Sequence, residues 1–217
     1  DLEVYFKYNP NKATVTASGL ATSIRNTLVA YNNDTLKSFN GVYRDSNVGK
    51  KIDDTSVAII SNITRVNMTK KITPSLGTAT KYTLKFNQAL TDLDATTSST
   101  GSYITSTRFT FGGVDCRLKD FYDSSSDTRI IQIVNTSGIV QSANVGDVNE
   151  EVGTVTLDSF QPTALPTGYT TIDVTVKPAS SDVSPTRNEL LTINTSTAII
   201  SGEIDTMATG GTTAGID

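Results

Sequence analysis

The side chains in this chain with catalytic potential are mostly carboxylates. Asp53-Asp54 and Glu150-Glu151 are adjacent acids. Two carboxyls roughly 5 to 10 Å apart across a sugar-sized cleft are the machinery of glycoside hydrolysis. Such clefts are rich in aromatic side chains, yet the chain has no Trp, so both pairs read as solvated charges. Asp92-x-Asp94 opens like a calcium loop. The turn glycine at position six is replaced by Thr97, however, and the bidentate acid at position twelve by Tyr103.

The absence of histidine removes the Ser-His-Asp and Cys-His triads and the commonest general base. A single cysteine, Cys116, excludes an intrachain disulfide and a cysteine-only zinc site. It reads as a small core residue. Gly49-Lys50-Lys51 lacks the upstream Gly and the following Ser or Thr of a phosphate loop. No Ser sits in a nucleophile elbow. The residues therefore predict no enzyme, no catalytic site, no cofactor and no metal.

The elements that would position any site must come from 217 residues, enough to bury roughly 70% of the unfolded surface. Thr and Ser make up about a quarter of the chain, and Thr suits a half-buried pleated surface. The net charge is −4 and no basic cluster exceeds Lys50-Lys51 or Lys70-Lys71, which argues against a nucleic-acid partner. No apolar run approaches the roughly 18 residues of a membrane span. The chain opens at Asp1, directly before a strand pattern, and reads as a piece of a longer protein. Five Asn-x-Ser/Thr sequons, from Asn33, Asn62, Asn67, Asn135 and Asn194, are what so Ser/Thr-rich a chain produces by chance.

Leu2, Val4, Phe6 and Tyr8 alternate with polar or outward positions and predict a strand. Leu20, Ile24, Leu28 and Tyr31 recur at helical spacing behind Thr16 or Ser18 as cap, with Arg25, Asn26 and Asn32 elsewhere on the wheel. A shorter helix is expected over Asp45–Asp54, with Val48 and Ile52 inward. Thr64, Val66, Met68 and Ile72 share one face of a long strand. Residues 1–76 thus read as an α+β domain, strand-helix-helix-strand, with both helices on one face of a small sheet. Whether its strands run parallel or antiparallel stays open.

From Gly77 the pattern changes to short strands around Tyr82–Phe86, Phe109–Phe111, Ile130–Val134, Val155–Leu157 and Ile172–Val176. Turn-rich stretches such as Asp123–Asp127 and Asn144–Gly153 separate them. Residues 77–205 predict a mainly antiparallel β-sandwich or open barrel. Thr91–Gly101 reads as an exposed loop, and residues 206–217 as a flexible tail or arm. No repeat of fixed period appears.

One run carries more information than the rest. Phe39-Asn40-Gly41-Val42-Tyr43-Arg44-Asp45-Ser46-Asn47 is followed by Ile52-Asp53, then Ile59-Ile60-Ser61-Asn62, then Met68-Thr69-Lys70-Lys71-Ile72-Thr73-Pro74. It resembles the C-terminal part of the baseplate wedge subunit of T4-type contractile-tailed phages (gene product six, baseplate J family). Shorter stretches, Thr171–Lys177 and Asp182–Asn188, extend the likeness.

The resemblance implies a structural protein of the virion, assembled in the host bacterial cytoplasm. It would help to form the ring around the tail hub that rearranges on sheath contraction. The implied partners are other copies of the chain and other wedge proteins, with no nucleic acid, membrane or small-molecule substrate. Within the run, Phe39, Tyr43 and Arg44 are interface candidates, since aromatics and Arg are enriched at binding anchors. The alternative is that the two rings seal the loop between the helices while Arg44 pairs locally. Arg187-Asn188-Glu189-Leu190-Leu191 is either a turn with core leucines or a contact strip.

Two other readings remain. A glycan-binding β module of a fibre or adhesin would stack sugars on Tyr5, Tyr103, Tyr122 or Tyr169. A hydrolase would depend on Glu150 or Asp53.

Overall fold

The computed structural model describes residues 1–91, 103–185 and 189–208. In chain order the elements are β1 (Leu2–Tyr8), α1 (Ala17–Tyr31), a π-helical turn (Asn32–Leu36), α2 (Asp45–Asp53), β2 (Ile59–Val66), β3 (Met68–Ile72), β4 (Thr80–Lys85), β5 (Ile104–Ser106), β6 (Phe109–Phe111), β7 (Val114–Asp123), β8 (Thr128–Asn135), β9 (Val140–Asn149), β10 (Thr154–Phe160), β11 (Ile172–Val176) and β12 (Ile199–Ile204). They form two compact units, one of residues 1–66 with 181–217 and one of residues 67–180. The fold class is α+β, as the patterning predicts.

In the first unit, α1 starts where Thr16 caps it: the Thr16 Oγ1 accepts the Gly19 N–H at 3.2 Å. Its apolar stripe, Leu20, Ile24, Leu28 and Tyr31, is buried, as are Val48 and Ile52 of α2. Each fully buried apolar side chain stabilises the fold by roughly 1.5–3 kcal/mol. The helices cover Leu2, Val4 and Phe6 of β1, with α1 on β12 and α2 on β2. The sheet order is β12-β1-β2. β1 runs antiparallel to β2 and parallel to β12.

β12 is fastened at several points. The Arg25 guanidinium donates to the Ala198 carbonyl at 2.9 Å and also to that of Thr195. Asn32, which the helical wheel places on the polar side, is buried instead because its Oδ1 accepts the Ile193 N–H at 2.8 Å. Gly202 lies beside Phe6, and a Cβ there would come within 2.3 Å of the ring.

The second unit is a nine-stranded, antiparallel, nearly closed sheet of order β3-β11-β5-β7-β8-β9-β10-β4, with β6 on β7. Its core includes Leu118, Ile131, Ile133, Leu157 and Val174, with Phe109 meeting Phe160 edge-on at 5.0 Å. Cys116 is part of this core, and burial raises its thiol pKa. An ion triad lies beneath the sheet. Arg129 pairs with Asp120 at 2.8 Å and with Glu150, and Asp120 also accepts the N–H groups of Tyr103 and Ile104 at 3.0 Å each. Asp120 and Arg129 are almost wholly buried, so removing one partner would cost about 3–5 kcal/mol.

Three local expectations are corrected. The long strand through residues 64–72 breaks at Asn67, so that β2 joins the small sheet and β3 the large one. Consequently residues 67–76 belong to the second unit and residues 181–205 to the first. This differs from the division drawn at 76 and 205, because a returning strand carries no local signal of its partner. The turn-like Asn144–Gly153 is largely strand: β9 runs to Asn149 and pairs with both β8 and β10. Asp92, Asp94 and the Thr209–Gly215 tail lie outside the described residues.

Gly146 explains part of the β9 misreading. It is not a turn glycine; a Cβ there would meet the Thr156 carbonyl oxygen at 1.9 Å. Gly146→Ala should therefore lower unfolding stability by about 2 to 3 kcal/mol through overpacking. Chemical denaturation would read this as a lower midpoint at unchanged slope.

Candidate functional site

The loop between α1 and α2 holds all three interface candidates. It begins with the π-helical turn, closed by the Lys37 N–H on the Asn32 carbonyl at 3.0 Å. A tighter turn follows, with the Gly41 N–H on the Ser38 carbonyl at 3.0 Å. Asn40 adopts a left-handed conformation, φ 69°, one that Asn tolerates better than most residues. Gly41 presses on the preceding turn, where a Cβ would come within 2.5 Å of the Leu36 carbonyl oxygen. This backbone displays Phe39, which is 87% exposed.

Tyr43 lies differently, at 3% exposure. Its ring meets Tyr31 edge-on at 6.4 Å, and its backbone exchanges hydrogen bonds of 2.9 and 3.0 Å with Val183. The phenol oxygen and the Asp45 Oδ1 are buried neighbours, and among the described residues neither meets a partner in hydrogen-bond geometry. Burial, followed by the Asp45 charge, raises the Tyr43 pKa.

Arg44 is exposed and paired, its Nη1 donating to the Asp182 Oδ2 at 2.7 Å. The Asp45 N–H donates to the other oxygen of Asp182 at 2.9 Å. Because Arg44 supplies no side-chain cap, Asp182 acts as the cap of α2 from a distant part of the chain, where the positive end of the helix also favours it. The Arg44 bond, the Asp45 N–H and the Arg44 charge hold the Asp182 carboxyl below its ordinary 3.8. Asp45 moves the other way, raised by burial and by the Asp182 charge. Of the three candidates, the structure exposes Phe39, buries Tyr43 and ties Arg44 to Asp182.

The acid pairs are also placed. Asp53 accepts from Asn62 at 2.7 Å and Asp54 binds Lys50 at 2.7 Å, on an open groove of about 680 Å³ beside α2. Glu150 is held by Arg129. Of the tyrosines, Tyr5 carries Arg65 over its ring at 5.3 Å, Tyr103 carries Lys177 at 4.9 Å and Tyr122 carries Arg129 at 6.0 Å; Tyr169 is 62% exposed. Leu190 is exposed and Leu191 half-buried. Asp182 is the site residue that sequence reasoning missed as such. Its only local signal is the Ser-Asp-Val-Ser-Pro stretch, which names no helix for it to cap.

Residues 1–71 match the family model described as baseplate structural protein gp6, C-terminal domain III. No curated protein matches the chain. The matched segment, about a third of the chain, carries β1, α1, α2, β2 and the loop with Phe39, Tyr43 and Arg44. The match supports a baseplate protein family and a structural role in the tail of a phage virion.

Two outcomes follow from this geometry. Tyr43→Ala should cost about 3–5 kcal/mol, as large-to-small aromatic changes in a core do, whereas Phe39→Ala should stay within about 0.5 kcal/mol; thermal or denaturant unfolding separates them. The second concerns charge. A carboxyl with a depressed folded pKa stabilises above its unfolded value and loses that contribution as pH falls through the folded one. The stability difference between the wild type and Asp182→Asn should therefore close below pH 3.8. Asp45 has the opposite sign, favouring the fold at low pH and losing that contribution as pH rises through its folded value. In Asp182→Asn its pKa should drop toward 3.8, readable by carboxyl-carbon NMR titration.

Proposed function

We propose that the chain is a structural component of a phage tail baseplate wedge, helping to form the ring around the tail hub that rearranges on sheath contraction. The observation that carries this reading is the coincidence of the matched segment with the loop displaying Phe39. A large apolar ring at 87% exposure on a backbone held by a left-handed Asn and a crowded Gly is pre-organised, so little ordering entropy is lost when it docks. Aromatic anchors in pockets carry much of the energy of protein interfaces. Phe39 is the anchor for a neighbouring wedge protein, while Tyr43 and the Arg44–Asp182 pair hold its loop in place. The job is non-catalytic: a rigid helix-on-sheet body and a polar β-rich body that make contacts and change them.

The glycan-binding reading has less support. Three of the four tyrosines it would use already carry a cation over the ring, which leaves Tyr169 as an isolated platform.

Co-expression of the chain with the other structural proteins of its baseplate, followed by sedimentation, tests the proposal. Wild-type chain should travel with the assembled particles. Phe39→Ala should reduce that incorporation about tenfold or more, the effect of a hot-spot anchor, with the fold unchanged. Wild-type chain left entirely in the free fraction would count against the reading.

A further inference from the structure

The loop that displays Phe39 also holds a reactive pair, Asn40-Gly41. A backbone nitrogen can attack the side-chain carbonyl carbon of a preceding Asn and close a five-membered ring. Gly favours this attack because it carries no side chain to obstruct the approach. No other Asn of the chain precedes Gly. Every other Asn precedes a residue with a side chain, and Pro10 after Asn9 lacks the N–H as well. Asn40 is exposed, so its carboxamide meets solvent.

The folded loop opposes the reaction. The Gly41 N–H donates to the Ser38 carbonyl at 3.0 Å, which shields its proton from base in the solvent. The Ser38 Oγ donates to the Thr35 carbonyl at 2.7 Å and braces the same turn. Ring closure needs the reacting atoms placed for attack, about 3–3.5 Å apart, with the Gly41 nitrogen released. Opening one exposed turn costs far less than unfolding the unit. Each net hydrogen bond lost corresponds to a factor of roughly two to ten in the opening equilibrium.

We propose that Asn40-Gly41 is a self-modification site, a deamidation whose rate is set by opening of the turn that displays Phe39. The Gly41 nitrogen gives its proton to solvent base and bonds to the Asn40 Cγ. The carboxamide C–N bond breaks, and its nitrogen takes up a proton and leaves as ammonia. Water then opens the cyclic imide at either carbonyl, which leaves Asp or isoaspartate at position 40. The net change is uptake of water and loss of ammonia, with no oxidant or cofactor. Both products place a negative charge beside Phe39. Isoaspartate also lengthens the main chain by one carbon just before Gly41. There the space is already filled: a Cβ on Gly41 would come within 2.5 Å of the Leu36 carbonyl oxygen and 2.6 Å of that of Thr35. The longer chain cannot keep this turn, and Phe39 loses its fixed placement. The chemistry is independent of the baseplate reading; only the loss of docking that follows from a displaced Phe39 rests on it.

Trypsin cuts after Lys37 and Arg44 and so isolates Ser38–Arg44. Peptide mapping by mass spectrometry therefore reads conversion at Asn40 directly. The purified full chain and a synthetic Ser38–Arg44 peptide are incubated side by side in one mildly alkaline buffer. Asn40 should convert in both, about tenfold more slowly in the folded chain. Ser38→Ala removes the brace and should speed conversion in the chain about twofold or more, with the circular-dichroism signal unchanged. Asn40→Gly keeps the left-handed backbone and should remove the isoaspartate signal of the intact chain. An Asn40 still unconverted in the chain when the peptide has fully reacted overturns the site, as does an isoaspartate signal that survives Asn40→Gly. Conversion as fast in the chain as in the peptide, or a rate that Ser38→Ala leaves unchanged, overturns control by the turn. All of these are read on the purified chain, so failure of the baseplate reading, seen by co-expression, is distinguishable from failure here.

Discussion

The first unit depends on one pairing, that of β1 with β12. Glu3 lies against Ile199 and Tyr8 against Ile204, so the sheet is complete only after the chain has travelled through residues 67–180 and come back. Parallel strands cannot be joined by a hairpin and need a long crossover; here the crossover contains the whole second unit in sequence. Phe6 is covered because Gly202 lets the returning strand approach its ring. α1 is anchored because Arg25 and Asn32 hold backbone atoms of the segment leading into β12. α2 is capped because Asp182 arrives on the same return. Such non-local closure is entropically slow to form, and it ties the loop with Phe39 to residues far away in sequence.

Three carboxylates of this unit are held: Asp53 by Asn62, Asp54 by Lys50, Asp182 by Arg44 and the α2 N-terminus. In the second unit Glu150 and Asp120 hold Arg129. Exposed ion pairs of this kind contribute about 0–1 kcal/mol each, whereas the buried triad specifies how β7, β8 and the turn after β9 meet. The exposed apolar side chains of the first unit, Phe39 and Ile63 among them, suit contact with other proteins.

Much of this was legible locally. The stripe Leu20-Ile24-Leu28-Tyr31 and the Thr16 cap are periodic and short-range signals, and α1 follows them. Val48 and Ile52 mark α2 in the same way, and the alternations at Phe109, Val155 and Ile172 mark β6, β10 and β11. The misreadings share a cause, which is dependence on a distant partner. Asn67 separates two strands whose pattern of alternation runs on unbroken. Gly146 reads as a turn residue until Thr156 is known to press on it. Tyr43 and Phe39 are both aromatic and four residues apart, yet one faces Tyr31 and Val183 and the other solvent; nothing in the spacing separates them. Asp120, Arg129 and Glu150 look like ordinary surface charges because their burial is created by the closing of the large sheet.

The central claim is that the chain is a structural part of a phage tail baseplate. The most direct measurement is quantitative mass spectrometry of purified particles separated into baseplate, tail-tube and fibre fractions. The account predicts peptides of this chain in the baseplate fraction at a fixed ratio to the other baseplate proteins. Recovery only with fibres, or absence from particles while the chain is abundant in the lysate, would contradict it.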